Sequence, residues 1–163
     1  MPVQLAKLTR SLLRAGLLIL LAAIVSGAAR PSPASAAAIA AARPGTARIW
    51  IYRDYAPYQS LARPYVRING AITAISEPGG AFYRDVAPGR YDVTVDSIGT
   101  DVNQFAHVDL GPGQQVFLKV QSDQFWMSGG GINGWYRDTF YVRPQLPQIG
   151  AAEIARTPFY GGG

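Results

Sequence analysis

Val86-Ala-Pro-Gly-Arg-Tyr-Asp-Val-Thr-Val-Asp96 is a Pro-Gly turn feeding a strand that alternates almost without fault. Pro88 presets φ for the first central position of a turn, and Gly89 accepts the positive φ that a type II turn needs at the second. Tyr91, Val93 and Val95 then point one way, and Arg90, Asp92, Thr94 and Asp96 the other. A near-copy follows at Gly111-Pro-Gly-Gln-Gln-Val-Phe-Leu-Lys-Val120. Such turn-plus-strand units predict an all-β chain, folded as a single antiparallel β-sandwich. They carry no chemistry of their own.

Further strands are expected at Arg48–Arg53, at Val66–Ile72 with a second arm to Ile75, at Phe82–Val86, at Gln104–Leu110 and at Thr139–Arg143. Asn69-Gly70 is a strong hairpin signal. Each Pro-Gly turn is expected to close a hairpin as well, Phe82–Val86 pairing with Tyr91–Asp96 and Gln104–Leu110 with Gln115–Gln121. Eighteen glycines and 12 prolines punctuate the chain, as many short strands require. The spacing predicts a sandwich of about seven strands. Only Gly150–Arg156 reads as a short helix, and it reads equally as an edge strand. The alternation assigns the core to Ile49, Ile51, Val66, Ile68, Val86, Tyr91, Val93, Val95, Ala106, Val108, Leu110, Val116, Leu118 and Val120. One of Phe140 and Val142 joins them, with Tyr141 opposite.

The first 36 residues read as a secretory signal peptide. Lys7, Arg10 and Arg14 form its positive region, Ala15–Ala29 an apolar run too short for a spanning helix, and Ala34-Ser35-Ala36 a small-x-small cleavage site. The alternative is an uncleaved anchor, which is the one route to a membrane in this reading. Arg10 and Arg14 are not adjacent, so no twin-arginine signal is present. There is no cysteine, which excludes an acylated lipoprotein and any disulfide. The expected organisation is a signal at 1–36, an Ala/Pro-rich flexible leader at 37–46, the sandwich at 47–156 and a Gly-rich tail at 157–163. Localisation is expected to be periplasmic or secreted.

Cleavage changes the charge argument. The whole chain is +5, but Lys7, Arg10, Arg14 and Arg30 leave with the signal, and eleven basic residues then face ten acidic ones. A chain at +1 is a poor candidate for binding nucleic acid or anionic lipid.

The order of these segments resembles an uncharacterised family of bacterial envelope domains of unknown function, often found as lipoproteins. The resemblance rests on Ile49-Trp-Ile-Tyr-Arg53, Val66-Arg-Ile-Asn-Gly70, Val86-Ala-Pro-Gly-Arg-Tyr-Asp-Val93, Leu110–Val120 and a closing Phe-Tyr-Val strand ahead of Ala151-Ala-Glu-Ile154. More loosely, the chain is similar to PEGA-type and transthyretin-like (carboxypeptidase-regulatory) modules. The resemblance implies a transthyretin/Ig-like sandwich in the cell envelope, and it transfers no functional residue. The missing cysteine departs from the lipoprotein members and implies a chain without a lipid anchor.

The sequence offers little for catalytic or metal chemistry. His107, the only histidine, is expected on the outward face of its strand, without a nucleophile around it. With one histidine and no cysteine, zinc or copper lacks its usual ligands. Asp96, Asp101 and Asp109 bracket a loop but miss the spacing of a calcium loop. Asp85 and Asp92 flank the opening turn and are expected as cross-strand neighbours, paired with Arg84 and Arg90 on a solvated face. Gly129–Gly134 lacks the Lys-Ser/Thr ending of a phosphate loop. No cofactor is expected.

Aromatic residues are the remaining signal. Phe125-Trp126-Met127 and Trp135-Tyr136 flank those glycines. Trp126, Trp135 and Tyr136 are the candidate ligand-binding residues, placed on a loop where they stack on sugar rings or insert into a partner; the competing role is to cap the core. Tyr52, Tyr55, Tyr58 and Tyr65 form a second aromatic cluster, read as capping the sandwich. The expected function is a non-enzymatic envelope module that binds a protein or a glycan. The alternatives are an assembly protein acting through edge-strand pairing, or a hydrolase with an unrecognised site.

Overall fold

The computed structural model describes residues 39, 42–127 and 135–162; the expected signal at 1–36 lies outside them, as do 128–134 of the aromatic segment. The elements are β1 (Ala47–Arg53), β2 (Tyr65–Ile68), β3 (Ala71–Ile75), β4 (Ala81–Val86), β5 (Gly89–Val95), β6 (Ala106–Leu110), β7 (Gln115–Met127), β8 (Trp135–Gln145), α1 (Pro147–Ile154) and β9 (Phe159–Gly162). They form a five-stranded sheet in the order β8-β7-β1-β4-β9 and a four-stranded sheet in the order β3-β2-β5-β6. The described residues thus hold nine strands rather than about seven. β9 falls in the segment expected to be a tail, where Phe159 and Gly162 pair in parallel with Ala81 and Tyr83 of β4.

The Asn69-Gly70 turn forms as expected. Asn69 and Gly70 take φ of 50° and 80°, the double left-handed geometry of a tight hairpin, and β2 and β3 pair antiparallel around them. The two Pro-Gly turns do not close hairpins. β4 pairs with β1 and β9, whereas β5 pairs with β2 and β6. Ala87-Pro88 therefore carries the chain from one sheet to the other, and Gly89, at φ 158°, runs on nearly extended into β5. The second turn also changes sheets, between β6 and β7. There Gly113 takes a φ of 75°, and the Gln114 N–H donates to the Gly111 carbonyl over 3.2 Å. Alternation tells which side of a strand faces apolar neighbours, not which strand lies beside it. Two strands facing each other across a core satisfy it as well as two strands in one hairpin.

Between the sheets lies one apolar cluster. Ala47, Ile49, Ile51, Phe82, Leu118, Val120, Phe140 and Val142 come from the five-stranded sheet, and Val66, Val93, Val95, Ala106 and Leu110 from the other. Ile68, Val86, Tyr91, Val108 and Val116 pack at its margins. Phe140 and Val142 both belong to this cluster, where one of the two was expected.

A second cluster was not expected. Trp50, Tyr52, Ala81, Phe117 and Ile154 are buried on the opposite face of the five-stranded sheet, with Tyr83, Ala151 and Phe159 against them. Trp50 stacks on Phe117 at 6.2 Å and meets Tyr83 at 5.0 Å, and its indole N–H donates to Gln115 Oε1 over 2.8 Å. The lid on this cluster is α1, which settles the helix-or-strand choice at 150–156 in favour of a helix that starts earlier, with Pro147 in its first turn. β1 is consequently buried along its whole length, flanked by β4 and β7 and covered on both faces.

Candidate functional site

Among the described residues, polar or exposed apolar side chains gather at several places, three of which bear on function. The first is a groove of about 390 Å³, where β3, the edge of the four-stranded sheet, faces β4 and β9 of the other. Phe82 and Arg84 of β4 line it, together with Ile72 and Ile75 of β3, Tyr65 of β2 and Tyr160 of β9. Ile72 is 55 % exposed and Tyr160 61 %. Arg84 reaches across the gap: Nη2 donates to the Thr73 carbonyl over 2.8 Å and Nη1 to its neighbour Tyr83 over 3.1 Å. Its guanidinium lies 5.7 Å from the Phe82 ring centre. Among the described residues no carboxylate pairs with Arg84. Glu77, also at the groove, is paired with Arg63.

The second place is an ionic cluster under α1, beside a cavity of about 300 Å³ lined by Asp54, Glu153 and Arg156 among others. The Tyr52 hydroxyl donates to Glu153 Oε2 over 2.5 Å, and Lys119 Nζ lies 3.0 Å from Glu153 Oε1 and 2.6 Å from Asp54 Oδ2. Burial raises the Tyr52 hydroxyl far above its ordinary pKa, and the Glu153 bond and the nearby acids push the same way. Burial also works against the charges of Lys119 and Glu153, but the bonds of Lys119 to Asp54 and Glu153, and those of Glu153 to Tyr52 and Lys119, outweigh it, so Lys119 is held above its ordinary value and Glu153 below. A lysine kept charged and a phenol kept neutral are a poor nucleophile and a poor base. This cluster pins α1 to β1 and β7.

The third place is buried. Ser60 donates its hydroxyl to Asp138 Oδ2, and Arg53 donates to the carbonyls of Ser60 and Ala62. Asp138 Oδ1 and Arg53 Nε have no hydrogen-bond partner among the described residues. Burial lowers the Arg53 pKa, opposed by the Asp138 charge. Ser60 is 1 % exposed and no histidine stands beside it, so a substrate cannot reach its hydroxyl.

The expected site residues are distributed differently from their reading in sequence. Trp126, Trp135 and Tyr136 lie on strands, not on a loop: β7 runs to Met127 and β8 starts at Trp135, with Trp126 opposite Tyr136 and Met127 opposite Trp135. Their side chains lie outside the described residues. The strands extend this far because two antiparallel partners continue each other's ladder past the end of the alternation.

The four tyrosines do not form one cap. Tyr52 is buried under α1, while Tyr55, Tyr58 and Tyr65 are exposed, the last at the groove. Asp85 and Asp92 are not neighbours either, since their strands belong to different sheets. Asp85 makes a bidentate, buried pair with Arg48, and Asp92 meets the exposed His107 ring, itself edge-on to Phe105 at 4.7 Å. Of the loop acids, Asp96 binds Arg67, Asp101 accepts from the Tyr141 hydroxyl, and Asp109 meets Arg90. Among the described residues no three His, Cys, Asp or Glu side chains are grouped to hold a metal, and no helix is long and apolar enough to cross a membrane.

Sequence reasoning missed the groove. A signal was present in Ala71-Ile-Thr-Ala-Ile75, five uncharged residues after a hairpin turn, and in Phe159-Tyr160 within the supposed tail. A scan against protein-family models matches none, and no curated protein matches this chain in sequence.

Proposed function

We propose that this chain is an exported, non-enzymatic module of the bacterial cell envelope that binds another protein in the groove between β3 and β9. We propose further that its two sheets form a transthyretin/Ig-like sandwich serving as the scaffold. One observation carries the binding reading: among the described residues β3 pairs only with β2, through one register shift, carries no charged residue, and borders a groove lined largely by apolar side chains. Soluble proteins ordinarily protect such edges with charges, prolines or a covering segment. An edge left apolar is suited to pairing. The export reading rests on residues 1–36. The non-enzymatic reading is supported by the described polar clusters, whose candidate nucleophiles are buried or held in unreactive protonation states. A protein is favoured over a glycan because aliphatic Ile72 and Ile75 share the groove with its tyrosines.

The test is site-specific photocrosslinking of the full chain in the producing cell. A photoreactive residue at Ile72 is expected to trap a discrete protein, and the same residue at His107, on the exposed face of β6, is not. Equal labelling from both positions, or none from Ile72, overturns the reading.

A further inference from the structure

Resting on that reading, we propose that the occupant of the groove is an extended polypeptide segment that adds as a strand along the free edge of β3 and brings a carboxylate side chain onto Arg84. Backbone, shape and charge support this independently.

The backbone argument concerns the two edges. β3 pairs only with β2, and β9 only with β4, so each leaves one side without a strand among the described residues. An unpaired strand edge is a row of donors and acceptors that an incoming strand satisfies. On the β9 side Gly161 leaves a stretch of bare backbone beside Tyr160. Gly161 lines the groove, and a Cβ placed on it would meet nothing within 4 Å. Glycine in a strand often marks where another backbone comes close.

Shape comes from the exposed apolar side chains. Ile72 and Ile75 on one side and Tyr160 on the other leave a trough floored by Phe82. An added strand presents alternate side chains to one face, so every second residue enters the trough.

Charge selects what the segment carries. Arg84 donates to two backbone carbonyls and pairs with no carboxylate among the described residues, and Glu77, which also lines the groove, is held by Arg63. Because it already spans from β4 to Thr73, its guanidinium stands at the edge where the added strand runs. A guanidinium with donors to spare is best satisfied by a carboxylate, which it binds as a charge-assisted pair. A second copy of β3 contains no acidic residue and leaves Arg84 as it is. This favours a different chain over self-pairing.

The experiment is selection from a displayed library of random linear peptides against the full chain, followed by affinity measurements on synthetic winners. The expected pool has an Asp or Glu at one fixed position and apolar residues at alternate positions around it. Changing that acid to its amide, or making Arg84→Gln in the protein, is expected to weaken binding by about tenfold to a hundredfold. Arg84→Gln keeps a donor for Thr73, and a thermal melt confirms that it folds. Arg84→Glu is expected to turn the selected charge to Lys or Arg. N-methylation of the peptide amides facing β3 is expected to abolish binding, and methylation of the alternate amides is not.

Binding that Ile72→Lys weakens, but that ignores both the acid and Arg84→Gln, overturns this inference and leaves the protein-binding groove standing. Winners indifferent to Ile72→Lys, or no winners, overturn both. A dimer of the chain that Ile72→Lys makes monomeric assigns the edge to a second copy and overturns the inference.

Discussion

Gly150 of α1 rests on Phe117 of β7 so closely that a Cβ at position 150 would stand 2.4 Å from the Phe117 Cβ. This contact sets how near the helix lies to the sheet. Alanine in place of glycine inside a helix ordinarily stabilises by up to about 1 kcal/mol. Here the added methyl group meets a buried side chain that packs against Trp50, and α1 must lift to make room. Gly150→Ala is therefore expected to lower stability by about 1–3 kcal/mol, the usual cost of overpacking. Urea unfolding reads this as a lower midpoint at an unchanged slope. A rise in the midpoint would show that α1 is not clamped.

Arg48 and Asp85 sit directly opposite each other on β1 and β4, joined by bonds of 2.6 and 3.0 Å, with side chains only 6 % and 3 % exposed. The guanidinium also lies 3.8 Å from the Tyr83 ring centre. Asp85→Ala is expected to cost about 3–5 kcal/mol, because it removes one partner of a buried, bidentate ion pair. Arg48→Met with Asp85→Leu is expected to cost less than Asp85→Ala alone. A double-mutant cycle by urea unfolding measures the difference. Additive single effects would count against a coupled pair.

These two contacts show where reading the sequence succeeded and where it stopped. Val93, Ile49 and Leu118 were legible as core because alternation marks one face of a strand, and the Asn69-Gly70 hairpin was legible because its chemistry is local. The second cluster was hidden because β1 has no polar face. Trp50 and Tyr52 alternate with Ile49 and Ile51, and a polar-capable aromatic passes for the wet side of a two-faced strand. Asp85 likewise looked solvated because charge ordinarily means exposure. Its partner Arg48 lies 37 residues away, and no local pattern connects them. The groove depends on four elements that become neighbours only through the sheet order, so Tyr65 read as a cap, Arg84 as a solvated pair of Asp85, and Tyr160 as part of a tail.

Val93 is fully buried on β5, in the cluster shared by both sheets. Val93→Asp places a carboxylate there with no partner, a substitution expected to abolish the cooperative thermal transition. Thr94→Asp, one residue along and on the opposite face, is expected to keep it. The comparison separates loss of core packing from a general intolerance of charge on β5. Equal melting of the two variants would mean that β5 is not packed as described.

The Tyr52–Glu153–Lys119 cluster makes docking of α1 dependent on pH from both sides. Burial alone would raise Glu153, but the bonds from Tyr52 and Lys119 and the charges of Lys119 and Arg156 outweigh it, and its pKa falls below the ordinary 4.5. Its contribution to stability is therefore present above the ordinary carboxylate range and lost as pH falls through the lowered value. Tyr52 shifts the opposite way. Burial, and then Glu153 and Asp54, lift it well above the ordinary 10.0, so its contribution is complete below pH 10.0 and is lost as pH rises further. Lys119 is lowered by burial, but its bonds to Asp54 and Glu153 prevail and raise it overall, so its contribution is also lost on the alkaline side. Glu153→Gln is expected to flatten the acid limb of a stability–pH curve measured by urea unfolding. Tyr52→Phe is expected to soften the alkaline limb and leave an acid limb, smaller because Glu153 has lost one of its two donors. Trp50, packed beside Tyr52 in the same cluster, supplies the fluorescence signal. If both variants ran parallel to wild type across the whole range, α1 would be held by its apolar contacts, with the ionic cluster adding nothing.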